Sequence, residues 1–308
     1  MKKYFIVLGV SIVSFIAIFF NACETKQTKL TIGFVGDILL DRGVREQMEL
    51  EGQAHFYAQI QKEIPELDYL IGNLECPITS IHSPIYKKYV FRGDTTNTKY
   101  LRQMGITHLT VANNHSYDQG RKGLEATIQN LQKHDIRPMG YGKSLKTACE
   151  PTIIEEKAVK IILYSSVFLP LENWMPLENE YNVCQENYQV LAEKIRQTKV
   201  ENPKAFVIVN LHWGTEHIKD ASPYQRQQAH HLIDAGTDII IGHHPHVVQP
   251  KETYKGKEIY YSIGNFIFDQ RKPANQESLL VKVIIENNIL KTEKNNYFIQ
   301  NCKPKVVD

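Results

Sequence analysis

Apolar runs of strand length alternate with segments of helical period along most of the chain. This alternation is typical of βαβ units, which build a mainly parallel sheet. The predicted strands cover residues 30–36, 68–71, 106–112, 159–167, 205–211 and 238–241. The predicted helices cover residues 44–62, 97–104, 120–134, 187–199 and 223–235.

Beyond residue 250 the pattern changes to antiparallel hairpins. Residues 253–254 and 258–262 flank the turn Lys255-Gly256-Lys257, and residues 279–286 and 289–298 flank Asn287-Asn288. Strand-like segments on both sides of a short polar turn predict β-hairpins. We therefore expect an α/β sandwich in which residues 30–308 form one domain.

One long segment, residues 76–96, has neither helical nor strand period. It contains Pro77, Pro84 and the cluster Tyr86-Lys87-Lys88-Tyr89. Long loops in compact domains are often functional lids, and an ordinary surface excursion is the alternative. On the first interpretation Lys87, Lys88 and Arg92 pair with an anionic chain, whereas on the second they are simply solvated.

The amino terminus has the layout of an export signal. Two lysines precede an almost wholly apolar stretch at residues 4–20, and Ala22-Cys23 follows it. A small residue directly before a Cys at this place resembles the lipobox of bacterial lipoproteins, although Phe20 and Asn21 depart from the usual Leu and small residue. We expect residues 1–22 to be a lipoprotein signal peptide, Cys23 to be lipidated and residues 23–29 to be a tether.

These expectations place the domain outside the cytoplasm, attached to a bacterial membrane. An uncleaved membrane anchor is the alternative for the apolar stretch. Its 17 positions lie at the lower limit of the roughly 17–25 residues that span a bilayer. Both alternatives give the same location for the domain.

Charge excludes one class of partner. The chain has 36 basic and 34 acidic residues, and loss of residues 1–22 removes two lysines and no acid, which leaves 34 of each. A body without net charge lacks the basic surface that nucleic acid binding requires. We therefore expect no nucleic-acid partner.

Four cysteines remain once Cys23 is assigned to the lipid anchor. Cys76, Cys149, Cys184 and Cys302 show no close pair of the kind that makes a zinc knuckle. They are either buried free thiols or disulfide partners, because export permits disulfides. Spacing does not assign a pairing.

Polar side chains with metal-ligand chemistry follow several of the predicted strands. Asp37 follows the first strand, and Asn73 and Glu75, two positions apart, can point to the same side of the second. The carboxyl ends of parallel strands meet at one edge of a sheet, where α/β folds bind ligands. Each motif alone is weak evidence, since an Asp at such a place can also cap the next helix.

The histidine motifs carry more information. Asn114 offers a neutral oxygen ligand and His115 an acid or base that titrates near neutrality, with an Asn-rich turn as the alternative. His244 and His246, at alternate positions in Gly242-His243-His244-Pro245-His246, can present two imidazoles to one ion. His212 follows another apolar strand, where a lone His is more often a packing residue. The sequence therefore predicts a metal centre assembled from several strand ends.

Together these segments resemble the CapA family of poly-γ-glutamate capsule-synthesis proteins, within the metallophosphatase-like superfamily of calcineurin-type phosphoesterases. The resemblance runs from about residue 30 to residue 269. The matching motifs are Asn73-Leu74-Glu75, Asn113-Asn114-His115 with Asp118, His212-Trp213-Gly214 with Glu216, His244-Pro245-His246 with Gln249, and Gly264-Asn265-Phe266 with Asp269. It implies a four-layer α/β/β/α sandwich with one or two divalent ions, such as Mn, Zn or Fe, at the strand ends.

The resemblance also implies a role for each site residue. The implied metal ligands are Asp37, Asn114, His212, His244 and His246, and the implied catalytic residue is His115, which would protonate a leaving group. The residues expected to orient ligands or contact substrate are Asn73, Asp118, Trp213, Glu216, Asn265 and Asp269.

Two positions depart from the superfamily pattern. Leu39 stands where a His is usual, and Asn73 stands where a bridging Asp is usual. Either one metal position is weakened, or Glu75 is the bridging ligand.

These implications predict a lipid-anchored, extracytoplasmic protein of capsule or poly-γ-glutamate biosynthesis with a metal-dependent, hydrolase-type site. Its partners would be an anionic surface polymer and a polyglutamate ligase or export complex. One alternative is an extracytoplasmic metallophosphoesterase that acts on a phosphate ester. Another is a non-catalytic, polymer-binding subunit of an export complex, which Leu39 and Asn73 would favour.

Overall fold

A computed structural model describes residues 29–171 and 174–307 of the protein. The predicted signal peptide, the lipidation site Cys23 and most of the tether lie outside these residues. Within the described ranges, no helix is both long enough and apolar enough to cross a bilayer.

Sixteen strands and eight helices follow one another along the described residues. The strands are β1 (Lys29–Ile38), β2 (Tyr69–Leu74), β3 (His108–Thr110), β4 (Arg137–Met139), β5 (Tyr141–Gly142), β6 (Thr152–Glu156), β7 (Val159–Val167), β8 (Asn182–Val183), β9 (Phe206–His212), β10 (Ile239–His243), β11 (Glu252–Tyr254), β12 (Lys257–Tyr260), β13 (Asn265–Ile267), β14 (Glu277–Glu286), β15 (Ile289–Gln300) and β16 (Lys303–Val307). The helices are α1 (Gly43–Glu51), α2 (Gln53–Gln61), α3 (Asn97–Met104), α4 (Gly120–Lys133), α5 (Leu145–Ala148), α6 (Tyr188–Glu201), α7 (Pro223–Asp234) and α8 (Pro273–Gln276).

Two large sheets form the centre of the molecule. The first has the order β16-β15-β14-β1-β2-β3-β4, with β13 also paired to β1, and the second has the order β11-β12-β10-β9-β7-β6. Strands β1 to β4 are parallel to one another, as are β12, β10, β9 and β7. The carboxyl ends of the parallel strands therefore lie at one edge of each sheet.

The two sheets pack face to face, and each outer face is covered by helices. Phe34 and Ile71 of the first sheet share an apolar cluster with Ile208 and Ile241 of the second. A second cluster lies between the first sheet and helices α1 to α4, and a third between the second sheet and helices α6 and α7. These three cores confirm the predicted four-layer α/β/β/α sandwich.

Strand β1 shows how the sequence builds this double-sided burial. Leu30, Ile32 and Phe34, at alternate positions, belong to the core between the sheets, whereas Val35 belongs to the core on the helical side. Successive side chains of a strand point to opposite faces. A strand buried on both faces therefore appears as the near-continuous apolar run from which it was predicted.

Two sequence predictions were wrong in detail. The helix predicted at residues 44–62 is two helices, α1 and α2, because Gly52 between them has φ 82°, outside the helical region. The strand predicted at residues 106–112 is shorter, and its last residues open the loop that carries Asn114 and His115. Both predicted hairpins are present as β11–β12 and β14–β15.

Of the four cysteines outside the predicted lipid anchor, two are disulfide partners and two are free thiols. Cys149 and Cys184 form a disulfide, whereas Cys76 and Cys302 are free thiols. The disulfide joins the residue after α5 to the residue after β8, beside the two-stranded sheet β5–β8. It therefore ties α5 to the segment after β8, whose Cys184 carbonyl also accepts a hydrogen bond from the Val167 amide of β7 at 2.9 Å.

Removing this disulfide should destabilise the domain. The bridge spans a sequence separation of 35 residues, and closing a loop of that size stabilises a protein by about 2–4 kcal/mol. We expect Cys149→Ser with Cys184→Ser to lower the free energy of unfolding by that amount in guanidinium titrations. The matched control, Cys302→Ser, replaces a free thiol and should change it by less than about 1 kcal/mol.

His108 should make stability depend on pH. Burial in β3, with the positive charge of Arg137 nearby, lowers the pKa of His108 to about 4. From pH 6.5 down to 4 the unfolded chain binds a proton that the folded protein excludes, so stability falls as pH falls. We expect His108→Gln to remove about 2 kcal/mol of the loss in unfolding free energy measured between pH 7.5 and 4.5. Equal losses in variant and wild type would contradict the assignment.

Candidate metal centre

The polar residues predicted at strand ends meet where the two sheets present the ends of their parallel strands. Asp37 on β1 lies in register with Asn73 on β2 and Asn265 on β13. His212 and His243, the last residues of β9 and β10, lie opposite each other in the second sheet. The site is therefore built from both sheets.

One group of donors is arranged around a common point. The donor atoms of Glu75, His212 and His244 lie within 4.8 Å of one another, and all three side chains are buried. His212 Nε2 is 2.8 Å from Asn114 Oδ1 and 3.7 Å from Glu75 Oε1. These four residues bring two nitrogen and two oxygen donors together.

Unpaired atoms show that this group suits a cation. Glu75 Oε1 and His244 Nδ1 are buried without a hydrogen-bond partner among the described residues. Leaving such atoms unpaired is costly, and buried polar atoms in native proteins nearly always have a partner. Two imidazoles, a carboxylate and an amide oxygen suit a divalent transition metal. The residues present therefore fit the divalent ion that the sequence predicts.

The electrostatics of the group favour the same interpretation. Burial raises the pKa of Glu75 to about 8, and the negative charge of Asp37 acts in the same direction. Burial also lowers the pKa of His212 well below its usual value and, with the charge of His246, lowers that of His244 to about 3. Neutral imidazoles are the form that binds metals, and a bound cation would stabilise Glu75 as a carboxylate.

Asp37 and His246 instead pair with each other. His246 Nδ1 lies 3.0 Å from Asp37 Oδ2 and 2.9 Å from Asn265 Oδ1. Burial opposes both charges, but their mutual contact raises the pKa of His246 to about 9 and, with His243, holds that of Asp37 well below its usual range. These two predicted ligands thus form a buried ion pair beside the Glu75 group.

Asn73 links the two carboxylates as a donor. Its Nδ2 donates to Asp37 Oδ1 at 2.8 Å and also to Glu75. Its orientation follows from the network, because its Oδ1 accepts a hydrogen bond of 3.0 Å from Asn113 Nδ2. An amide NH₂ has no lone pair to offer a metal. Leu39, the other departure from the superfamily pattern, is fully buried in the core on the helical side.

His115 and Asp118 form a dyad next to Asn114. His115 Nδ1 lies 2.7 Å from Asp118 Oδ2, and the ring packs against Phe91 with centroids 4.4 Å apart. Burial lowers the pKa of His115, although the contact with Asp118 opposes this shift. The contact through Nδ1 orients the ring and leaves Nε2 free to exchange a proton with a substrate.

Three of the predicted residues lie away from these donors. Trp213 is buried in the core outside the second sheet and donates through Nε1 to the Tyr261 carbonyl at 2.9 Å. Glu216 is exposed, and its side chain lies 3.9 Å from that of His217. Asp269 pairs with Arg42 at 2.6 Å and accepts a hydrogen bond from the Gly43 amide at 3.1 Å. Their predicted contacts with ligands or substrate stay predictions.

Two residues absent from the predicted site contact it directly. His243 Nδ1 lies 3.3 Å from Asp37 Oδ1, an ion-pair contact rather than a well-aligned hydrogen bond. Lys87 Nζ donates to the Asn114 carbonyl at 2.7 Å and lies 3.4 Å from Asp118 Oδ1. The sequence marked both positions, His243 within the histidine cluster and Lys87 within the aperiodic loop. It did not show that either side chain turns inward.

The fold defines a class of protein. A putative 5'-nucleotidase from Staphylococcus aureus, solved in complex with α-ketoglutarate, superposes with a TM-score of 0.53 over 91% of this chain and 54% of its own, at 13% identity. At this identity the likeness shows the fold alone. The protein has a metallophosphatase-like fold.

Sequence comparison then gives the family. Residues 31–270 match the model of the bacterial capsule synthesis protein PGA_cap, and the chain belongs to this family. It is 31% identical to the capsule biosynthesis protein CapA of Bacillus anthracis over 85% of this chain and 66% of the relative. It is also 31% identical to the PGA biosynthesis protein CapA of Bacillus subtilis (strain 168) over 93% of this chain and 78% of the relative. The chain thus spans just under two thirds of the first relative's length.

Proposed function

We propose that the protein uses one divalent cation, held by Glu75, Asn114, His212 and His244, in the synthesis of an anionic surface polymer such as poly-γ-glutamate. The convergence of these four donors, with two buried atoms left unpaired, is the observation that carries the proposal. Membership of a capsule-synthesis family supports an anionic surface polymer as the molecule on which the site acts. The site would act on the polymer or assist its assembly.

The neighbouring contacts support one ion rather than two. Asp37 and His246 satisfy each other's charge at 3.0 Å, and the NH₂ group of Asn73 lies between Asp37 and Glu75. A second ion would have to displace both the ion pair and this amide. On this proposal Glu75 is a ligand of one ion.

The ion, when bound, would polarise a carbonyl or phosphoryl oxygen and lower the pKa of water. The chain's own residues would supply the proton and a positive charge. His115, oriented by Asp118, would donate a proton from Nε2 to the leaving group when its ring is in the protonated imidazolium form. Lys87 adds a positive charge beside this dyad and could stabilise an anionic substrate group.

We further propose that the protein acts outside the cytoplasm, anchored to a bacterial membrane through lipid on Cys23. The Lys-rich start, apolar stretch and Ala22-Cys23 of the sequence support this. The disulfide Cys149–Cys184 also supports it, because such bonds persist in oxidising compartments. There the protein would work beside a polyglutamate ligase or within an export complex.

Phosphoester hydrolysis is the second candidate function. The His115–Asp118 dyad beside a cation-compatible donor group is the observation that favours it. A proton donor next to a metal site suits a phosphoester as well as an amide. The two candidates differ in substrate, which is an anionic polymer in the first and a phosphate ester in the second.

Metal analysis should show whether the Glu75 group binds a divalent ion. We expect the purified full-length protein to bind about one divalent ion per chain, because Glu75 Oε1 and His244 Nδ1 converge without a hydrogen-bond partner among the described residues. His212→Ala or His244→Ala should abolish binding, measured by elemental analysis and calorimetry. The matched control, His134→Ala, removes a half-buried His at the end of α4 and should retain the ion. No ion in the wild type, or no loss in the first two variants, would contradict the proposal.

Turnover should depend on His115 without affecting metal content. We expect His115→Gln to lower kcat by about 10²–10⁴-fold, the range for loss of a general acid, and to leave the bound ion in place. Poly-γ-glutamate, followed by chain length, and a generic aryl phosphodiester are the two substrates to compare. Turnover of the phosphodiester alone would favour the second candidate function. No turnover of either, with polymer binding unchanged after metal removal, would favour a non-catalytic subunit.

A further inference from the structure

The loop over the candidate site differs in charge from the rest of the chain. We call residues 81–92 the cationic loop. Between Cys76 and Gly93 the sequence has no Asp or Glu, whereas Lys87, Lys88 and Arg92 are basic. Positive charge is therefore concentrated at this segment of a chain whose charges otherwise nearly balance.

Both flanks of the cationic loop are hydrogen-bonded to the segment that carries His115. The Ile85 amide donates to the Asp118 carbonyl at 3.2 Å, and the Phe91 amide donates to Asp118 Oδ2 at 2.8 Å. Gln119 accepts from the Ser83 amide at 2.9 Å and donates to the Phe91 carbonyl at 3.1 Å. The loop is thus held in a defined position relative to the dyad, which an ordinary surface excursion would not require.

The residues between these flanks divide into an outer and an inner group. Tyr86 and Tyr89 are 98% and 50% exposed, and Lys88 Nζ lies 5.0 Å from the centroid of the Tyr89 ring. The side chain of Lys87, by contrast, is only 12% exposed, and its Nζ contacts Asn114 and Asp118. The loop therefore presents aromatic and ammonium groups to solvent and one ammonium group to the His115–Asp118 dyad.

We propose that the cationic loop is the docking site for a linear polycarboxylate, which Tyr86, Lys88 and Tyr89 bind outside the site while Lys87 receives one carboxylate beside His115. This rests on the proposed function, since it takes the polymer as the partner of the same site. Exposed tyrosines offer apolar faces to the methylene groups of such a chain and hydroxyls to its amides. Lysine ammonium groups act as point charges without a fixed geometry, which suits carboxylates on a flexible chain.

Charge reversal at the tip tests the docking site. The full-length protein in detergent is titrated into fluorescently labelled poly-γ-glutamate, and binding is followed by anisotropy. We expect Lys88→Glu to raise Kd at least about fivefold and to weaken the salt dependence of binding. The matched control, Lys204→Glu, makes the same charge change at an exposed lysine outside the loop and should raise Kd less than about twofold. Tyr86→Ser with Tyr89→Ser should also weaken binding, relative to Tyr224→Ser on α7.

Metal measurements keep this test separate from that of the proposed function. The titrations are repeated after chelation, and the metal content of Lys88→Glu should equal that of the wild type. If the wild type holds no metal but the loop variants still lose polymer binding, the metal proposal fails and the docking proposal stands. If metal binding is as expected but Lys88→Glu behaves like Lys204→Glu, the docking proposal fails alone.

Two further binding measurements test whether the cationic loop recognises carboxylates. The amidated, uncharged form of the same polymer should bind at least about fivefold more weakly than the acid, and equal binding would overturn the proposal. Vesicles containing phosphatidylglycerol test an anionic membrane surface as the partner. If Lys88→Glu lost vesicle binding and kept polymer binding, the loop would be a membrane contact and the proposal would be overturned.

Discussion

Two fully buried carboxylates, Asp37 and Glu75, impose the constraint on which the site depends. They lie at the ends of neighbouring strands, joined through the amide of Asn73. Burying such charges is unfavourable unless each is paired. Asp37 is paired with His246 and contacted by His243, whereas Glu75 Oε1 has no hydrogen-bond partner among the described residues. This difference is why the proposed cation is placed on the Glu75 side of the site.

Asp118 organises the other half of the site in a comparable way. One of its oxygens contacts the His115 ring and the Phe91 amide, and the other lies 3.4 Å from Lys87 Nζ. A single buried carboxylate thus fixes the imidazole, anchors the loop and faces the loop's inward lysine. Because these groups share one partner, the orientation of the His115 ring and the position of the cationic loop are coupled.

The family and the fold together show what this chain keeps and what it changes. It keeps the double-sheet sandwich and places its donors at the strand ends, as expected for a metallophosphatase-like fold. It departs from the superfamily pattern at two positions. Leu39 is buried in the core, and the side-chain amide of Asn73 donates hydrogen bonds. The described residues bring Glu75, His212 and His244 together as a possible metal-binding group, where the resemblance implies one or two ions.

The sequence by itself determined most of the longer strands, most helices and the chemistry of the strand ends, because hydrophobic periodicity and the residues that follow each strand are local properties. It also limited the site to a few motifs, which include Glu75, His115, His212 and His244. It did not predict β4, β5, β6, β8, β13 or β16. Only the tertiary structure decided which donors face a common point, that Asp37 and His246 pair with each other, and that Lys87 turns inward. Sequence did not determine these features, nor the Cys149–Cys184 pairing, because each depends on the relative placement of segments that lie tens to hundreds of residues apart along the chain.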